Sequence, residues 1–409
     1  MAFPVPSEAF ASVELRELKR QGVNVCVKTL RQRRTDYDKV SHQQDTTCIE
    51  VEYAGPKTRI PGLLRAVFHP VLLVRLWRMM IADLWRRPTV LLACLWWSIR
   101  CFDLLERVRK EKPNVVHLYW GHATAMLGWM ILETFPSQKL TTSLSAYDIE
   151  LGLPISFDVA SRCEGVRTWS PSGRKTMTDR GVPASQIKLI HQGIDVSLFR
   201  GTANSRAKKM RGRIAVAARL IPEKGIAQTI KIVASVRERY PEAHLFVYGD
   251  GPERSMLMDQ VRRMGEETLV TFAGHVDQRT LAVGLQQAQF FLLPSTHHAE
   301  RLPNVLKEAI AAGCYCITTP TPDVECLIAD DSIGAIVPAG ETQAWVGTII
   351  AQLARRDHES ESSIQTRQRV LETFDLETTT RELLSWWNLV EDIPTSETHR
   401  SSSGKLVTA

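Results

Sequence analysis

The sequence predicts an α/β protein made of two successive blocks of parallel strands and helices. Three observations carry this reading. Short apolar runs that end in Gly, Ser or Asp alternate with longer helical patterns, as expected of strands joined by helical crossovers. The alternation occurs twice, once before residue 200 and once after it. The chain has 409 residues, more than one ordinary core of ~150 residues accommodates, so two domains are expected.

The elements follow in order. Ser7 and Glu8 read as the cap of a helix running through Phe10, Val13, Leu15 and Leu18. Asp36 and Asp38 sit among Arg31, Arg33 and Arg34 and read as a charged loop, not a metal site. The stretch 63–110 breaks the rhythm. Leu73, Leu76, Trp77, Met80, Ile81 and Leu84 follow the i, i+3, i+4, i+7 pattern of an amphipathic helix, Pro88 ends it, and a second helical pattern follows. Between Leu63 and Phe102 there are six arginines, four tryptophans and one acid. That composition suits either an anionic membrane surface or two ordinary helices packed on the domain. Strands are expected at 115–120, 140–145, 166–170 and 187–191. A polar linker crosses 200–209, and strands resume at 213–220, 244–249, 269–274, 290–295 and 314–319. A last helical pattern covers 376–393, with Leu383, Leu384, Trp386 and Trp387; the tail 394–409 has no periodicity and reads as disordered.

Composition narrows the classes of function. At 44% hydrophobic and 23% charged residues the chain is globular, not disordered or collagenous. Residues 1–200 carry 28 basic and 19 acidic side chains, and 201–409 carry 23 and 26, so the whole net charge of +6 originates in the first block. An anionic surface or substrate is expected on that side. The dense basic and aromatic run of a nucleic-acid binder is absent. The eight cysteines form no CxxC or zinc spacing, no signal peptide is read, and free thiols in a cytoplasmic protein are expected. The longest apolar run, 88–99, is bracketed by Arg87 and Arg100 and falls short of the ~18–20 residues that span a bilayer. Neither G-x-S-x-G nor G-x-G-x-x-G occurs.

The strongest chemical constellation lies between Glu300 and Glu308. It follows a strand and opens a helix with Pro303 at its first position, next to Leu302 and Asn304. Free N–H groups at such a helix start attract a phosphate, and flanking carboxylates accept hydrogen bonds from sugar hydroxyls. Arg219 and Lys224 follow the first strand of the second block, where open α/β sheets bind ligands; two such cations suit a diphosphate. Tyr248-Gly249-Asp250-Gly251-Pro252 and Phe272-Ala273-Gly274-His275-Val276 end two further strands, the glycines permitting close backbone approach to a ligand. In the first block, His122 ends the strand 115–120 and reads either as a structural histidine or as an acceptor-side imidazole. His297 and His298 are adjacent and make a poor metal pair, so no metal is expected.

In order and spacing these segments resemble the donor half of the retaining family 4 glycosyltransferases, closely over 211–340 and more loosely over the first block, where the pattern is similar to bacterial exopolysaccharide enzymes of the colanic acid type. The resemblance implies the GT-B fold, two Rossmann-like domains facing a central cleft: an acceptor-side domain 1–200, a donor domain 205–375, and a helix 376–393 packing back on the first. It implies transfer of a sugar from a nucleotide-diphosphate sugar to a glycan or lipid-diphosphate-linked acceptor, with retention and without cofactor or metal, in cell-surface polysaccharide assembly. Arg219 and Lys224 would hold the diphosphate, Glu300 the transferred sugar and Glu308 the ribose. Asn304, Leu302, Pro303, Gly251 and backbone near Val276 would complete the donor site, and Ser7, Glu8, His122, Ser145 and Asp148 the acceptor side.

The chain departs from the family at three places. Ser145 stands where an acceptor-side histidine is usual, Arg301-Leu302 replaces Gly-Phe, and Thr321-Pro322 replaces Gly-Gly. The first apolar strand, which belongs at the centre of the N-terminal sheet, is expected to be missing. Two further readings therefore stand beside the enzyme: a degenerate relative that binds nucleotide-sugar without catalysis, and a non-enzymatic subunit at a membrane surface, peripheral on the inner face.

Overall fold

The computed structural model describes residues 3–5, 8–33, 35–200, 209–297, 300–355, 361–389 and 405–408. The chain divides into two compact units, residues 1–191 with 380–409, and residues 192–379. The division thus falls at 191/192, ahead of the polar linker expected at 200–209, most of which lies outside the described residues. Residues 192–200 join the second unit because Phe199 and Val196 bury themselves in its core.

Unit 1 is a seven-stranded parallel sheet. Its strands are β1 (Asn24–Lys28), β2 (Glu50–Glu52), β3 (Val115–Leu118), β4 (Leu140–Ser143), β5 (Gly165–Thr168), β6 (Ile187–Leu189) and, from the far end of the chain, β13 (Lys405–Thr408). Their order is β2-β1-β13-β3-β4-β5-β6. Leu406 pairs with Val25 on one side and Val115 on the other, Val407 with Cys26 and Val116. This corrects one expectation: the tail is not disordered throughout, since 405–408 form a strand. Among the described residues no strand precedes the helix Ala9–Arg20, as expected, and β13 fills the place at the centre of the sheet. A parallel strand needs only matching backbone on both flanks, and Lys405-Leu406-Val407-Thr408 supplies it. Residues 390–404 lie outside the described residues.

Helices cover both faces of this sheet. The helix Ala9–Arg20 buries Leu15 and Leu18 together with Val25, Val115, Leu383, Leu384 and Trp387, so the last helix, Leu376–Trp386, brings its apolar stripe into the core of unit 1. The helix Pro88–Glu111 has the length and hydropathy of a membrane span, which the sequence reading did not anticipate. Its central residues Cys94, Ser98, Arg100, Cys101 and Asp103 are nonetheless buried within unit 1, as in a core helix.

Unit 2 is a six-stranded parallel sheet: β7 (Met210–Ala217), β8 (His244–Tyr248), β9 (Val270–Gly274), β10 (Ala288–Leu293), β11 (Tyr315–Thr318) and β12 (Gly334–Ile336), in the order β12-β11-β10-β7-β8-β9. Strands β7 and β10 are neighbours, and chain order runs outward from them in opposite directions. That is the topological switch point, and in open parallel sheets ligands bind beside it at the carboxyl ends of the strands. The continuous apolar runs in β7 and β10 are explained by helices on both faces: Ile214, Val216, Phe290 and Leu292 enter one cluster, Ala215, Ala217, Phe291 and Leu293 the other.

Candidate functional site

The loops that leave β7 and β10 meet at the switch point. After β7 the chain makes a 3₁₀ turn at Pro222–Lys224 and enters the helix Ile226–Arg237 through Gly225. Gly225 has φ +67°, and a Cβ there would stand 2.4 Å from the carbonyl oxygen of Pro294 in the loop after β10. Only glycine allows this approach. The loops are stitched further where the Thr296 amide donates to the Glu223 carbonyl at 2.8 Å. Across this junction the Lys224 Nζ donates to Glu300 Oε1 at 2.7 Å, with side chains only 18% and 10% exposed. Glu300 Oε2 is buried and accepts no hydrogen bond from the described residues. A carboxylate with one oxygen held and the other buried without a described donor has acceptor capacity left for a donor such as a sugar hydroxyl. Arg219, in the same β7 loop, is exposed and adds a second cation.

The chain reaches its next helix, Asn304–Ala311, through a strained segment. Leu302 has φ +47°, a left-handed conformation held because its side chain is buried in the core. Pro303 is the cap and not the first helical residue, so the expected start shifts by one to Asn304. Asn304 and Val305 present the unbonded amides of a first turn. The Asn304 side chain is engaged within the unit: its Nδ2 donates to Gln192 Oε1 at 3.0 Å, and its Oδ1 accepts from Lys307 Nζ at 2.9 Å. One turn in, Glu308 is buried, and burial pushes its carboxyl up to about 7 against the opposing pull of Lys307.

Two glycines of the sequence reading prove structural. Gly249 has φ +133° and lies where a Cβ would stand 1.9 Å from the Ala218 carbonyl, and Gly251 where one would stand 2.5 Å from that of Leu220. Both glycines thus lie close against the backbone of the β7 loop, which they brace. Val276 follows β9 at the edge of the sheet and packs its side chain against the core. Asp323, beyond Thr321-Pro322, takes φ +67°, a conformation suited to the glycines usual in that loop.

In unit 1 a second constellation forms at the carboxyl ends of β3 and β4. Gly121 sits close against Leu144 there, where a Cβ would stand 1.9 Å from Leu144 Cδ2. His122, next along, pairs its Nδ1 with Asp148 Oδ1 at 2.6 Å. Asp148 Oδ2 accepts from the Ser145 amide at 2.9 Å and from Ser145 Oγ at 2.7 Å, while the Asp148 amide donates back to Ser145 Oγ, a capping box on the helix Ala146–Leu151. Ser145 thus does not replace an imidazole; it fixes the carboxylate that orients one. The Asp148 carboxylate, held by Ser145, thus sets the orientation of the His122 ring. Glu8 belongs to the same group: burial raises its carboxyl, with charges at His122, Arg31 and Asp148 among the smaller influences. Ser7 lies outside the described residues.

The one described group of metal-ligand type, Cys26, Glu50 and Glu52, lies on β1 and β2. Glu52 is already paired with Lys28 and Arg107, and burial pushes the Cys26 thiol up to about 11, so this group offers an ion little.

Residues 202–369 match the family described as glycosyl transferases group 1. The chain is 26% identical over 212 residues to a putative colanic acid biosynthesis glycosyltransferase, WcaL, of Salmonella typhimurium, covering 50% of this chain and 52% of that protein. It is 30% identical over 139 residues to a glycogen synthase of Mycobacterium tuberculosis, covering 34% and 33%. The chain thus spans about half the length, or less, of these curated relatives. Among solved structures it is similar to Anabaena Alr3699/HepE in complex with UDP, with TM-score 0.69 and 15% identity over 94% of this chain and 97% of that one. With UDP-glucose bound, the same Anabaena protein gives a TM-score of 0.68 at 14% identity.

Proposed function

We propose that this chain, which carries a glycosyltransferase group 1 domain on the GT-B fold, transfers a sugar from a nucleotide-diphosphate sugar to a glycan or lipid-diphosphate-linked acceptor in cell-surface polysaccharide assembly. The Lys224–Glu300 pair carries this reading, because it joins the loops after β7 and β10 where a parallel sheet binds its ligand. The nucleotide diphosphate lies at the start of the helix Asn304–Ala311, with Arg219 and Lys224 offsetting its charge. Glu300 Oε2 accepts from a hydroxyl of the transferred sugar, and Glu308 accepts from the ribose.

In the reaction the bond from the anomeric carbon to the diphosphate oxygen breaks and a bond to the acceptor oxygen forms. Negative charge grows on the departing diphosphate. Lys224, Arg219 and the amides of Asn304 and Val305 stabilise it there, the electrostatic service that a metal ion renders in other enzymes. Attack from the face that the diphosphate leaves gives retention. In unit 1 the His122 imidazole, oriented by Asp148, is the acceptor-side group of this reading.

A degenerate relative is the alternative, motivated by Ser145 and the missing first strand; the His122–Asp148 pair and the strand β13 favour the enzyme over it. The test is release of nucleoside diphosphate from nucleotide-sugars, after a thermal-shift panel of nucleoside diphosphates has identified the base. Lys224→Ala and Glu300→Ala should each lower turnover by about 10²-fold or more. Wild-type turnover in either variant would refute the assignment.

A further inference from the structure

The helices between Ile60 and Trp96 expose apolar surface that the packing of unit 1 does not explain. Eleven of the 18 exposed large hydrophobic side chains among the described residues lie in this segment. The helix Pro70–Leu84 shows why this matters. It buries Leu72, Leu76, Met80 and Leu84, one residue per turn on a single stripe, and that stripe suffices to seat it on the domain. A helix at a water boundary then carries charge on its outer side. This one presents Val71, Val74 and Ile81 there as well, a second apolar stripe left exposed at 71%, 54% and 47%. A helix apolar on two faces has two apolar neighbours.

The second neighbour is identified by geometry and charge. Ile60–Phe68 and Pro70–Leu84 meet at 101°, making an elbow at residues 67–71. Phe68, 80% exposed, is the most exposed large apolar side chain described, and Val67 and Val71 flank it at 66% and 71%. Trp85 and Trp96 are exposed further along, and the Arg86 guanidinium stacks over the Trp85 ring. Between residues 60 and 99 the charged side chains are Arg65, Arg75, Arg78, Arg86 and Arg87 against Asp83 alone. Apolar projections, exposed tryptophans and arginines with almost no acid match the boundary between anionic headgroups and acyl chains. A span is not required: the 15 residues of Pro70–Leu84 measure ~22 Å, short of the ~30 Å hydrocarbon core.

We propose that this elbow is a docking face for an anionic lipid bilayer, with Val67, Phe68 and Val71 entering the acyl boundary and Arg78 and Arg86 meeting lipid phosphates. The inference is independent of sugar transfer, because it rests on unit 1 and on lipid alone. The test is flotation of the full chain with vesicles of phosphatidylcholine, with and without phosphatidylglycerol. Co-flotation is expected with the anionic vesicles, reduced by salt. The pair Phe68→Ser and Val71→Ser should reduce it roughly tenfold or more, and so should Arg78→Glu with Arg86→Glu, since each basic residue near such a surface contributes about fivefold. All four positions are exposed, so the nucleoside-diphosphate thermal shift of these variants should match wild type. Absence of flotation, equal flotation with neutral vesicles, or self-association abolished by Phe68→Ser in a chain that does not float would each overturn the proposal.

Discussion

Glu308 offers the most quantitative test of unit 2. Its carboxyl is raised from an ordinary 4.5 to about 7, first by burial, with Lys307 opposing. Lys307 compensates poorly because its ammonium is taken up elsewhere: it donates to the Gln192 carbonyl and to Asn304 Oδ1, and lies 4.7 Å from the Phe374 ring centroid. The sign follows from linkage. Below pH 4.5 the folded and unfolded chains both hold the proton, and stability is whole. As pH rises toward about 7 the unfolded chain ionises while the folded one does not, and stability is lost. At ~1.4 kcal/mol per pKa unit the loss reaches about 3 kcal/mol once Glu308 is charged. Glu308→Gln removes the titration, so the variant should match wild type near pH 4 and exceed it by about 3 kcal/mol near pH 8. Urea unfolding of both proteins across this range measures the difference, since other titrations cancel between them. Nucleotide binding should run the opposite way. Ribose hydroxyls donate to the ionised carboxylate, so wild-type affinity should rise up to about tenfold per pH unit below pH 7 and then level off. Glu308→Gln should bind more weakly and lack that component. A stability difference that does not change with pH would refute the reasoning.

Two other predictions concern unit 1. His122→Ala should lower transfer by about 10²–10⁴-fold while leaving the thermal shift by nucleoside diphosphate intact, and Asp148→Asn should fall between it and wild type; loss of donor binding in His122→Ala would sink the acceptor-side role. Removal of residues 404–409 should open the sheet between β1 and β3, lower the melting temperature of unit 1 and spare the nucleoside-diphosphate shift of unit 2, and a peptide spanning 400–409 added in trans should restore part of the loss. Unchanged unfolding of the truncated chain would contradict the central placement of β13.

The candidate site of unit 2 was legible because its parts are local. Lys224 and Glu300 lie in the loops that follow two strands and Glu308 inside the helix after the second, and strand, loop and helix start are readable from apolar runs, glycine and proline. The pairing of Lys224 with Glu300 was not, since it depends on β7 and β10 being neighbours although they are separated by two strands in the chain. Gly251 shows a related gap: a glycine at a strand end signals close approach, but the sequence does not say that Leu220 is one of the groups approached. Ser145 and Asp148 carry the spacing of a capping box, yet the attachment of His122 to that box is a tertiary fact. The helices near Pro70 were ambiguous for a similar reason. Periodicity marks the stripe Leu72, Leu76, Met80, Leu84, but only burial tells that Val71, Val74 and Ile81 remain outside.

The strand β13 shows most sharply what local sequence leaves open. Its four residues follow a polar, serine-rich tail, and nothing in their own pattern distinguishes a central strand from a loose end. What places them is the environment: β1 and β3 each present a backbone edge lined with buried valines, Val25 and Val27 on one side and Val115 and Val116 on the other. An unpaired edge of that kind leaves buried amides and carbonyls without partners, which is costly wherever water is excluded. The sheet therefore constrains its central position by geometry and hydrogen bonding more than by chain order. It follows that unit 1 is discontinuous in a demanding way. Its edges are laid down by residues 24–52 and 115–189, but its centre is closed only by residues beyond 404, after the whole of unit 2 has been traversed. Unit 2 is contiguous from 192 to 379 and needs no such closure, so the completeness of unit 1 depends on contacts of the longest range in the molecule.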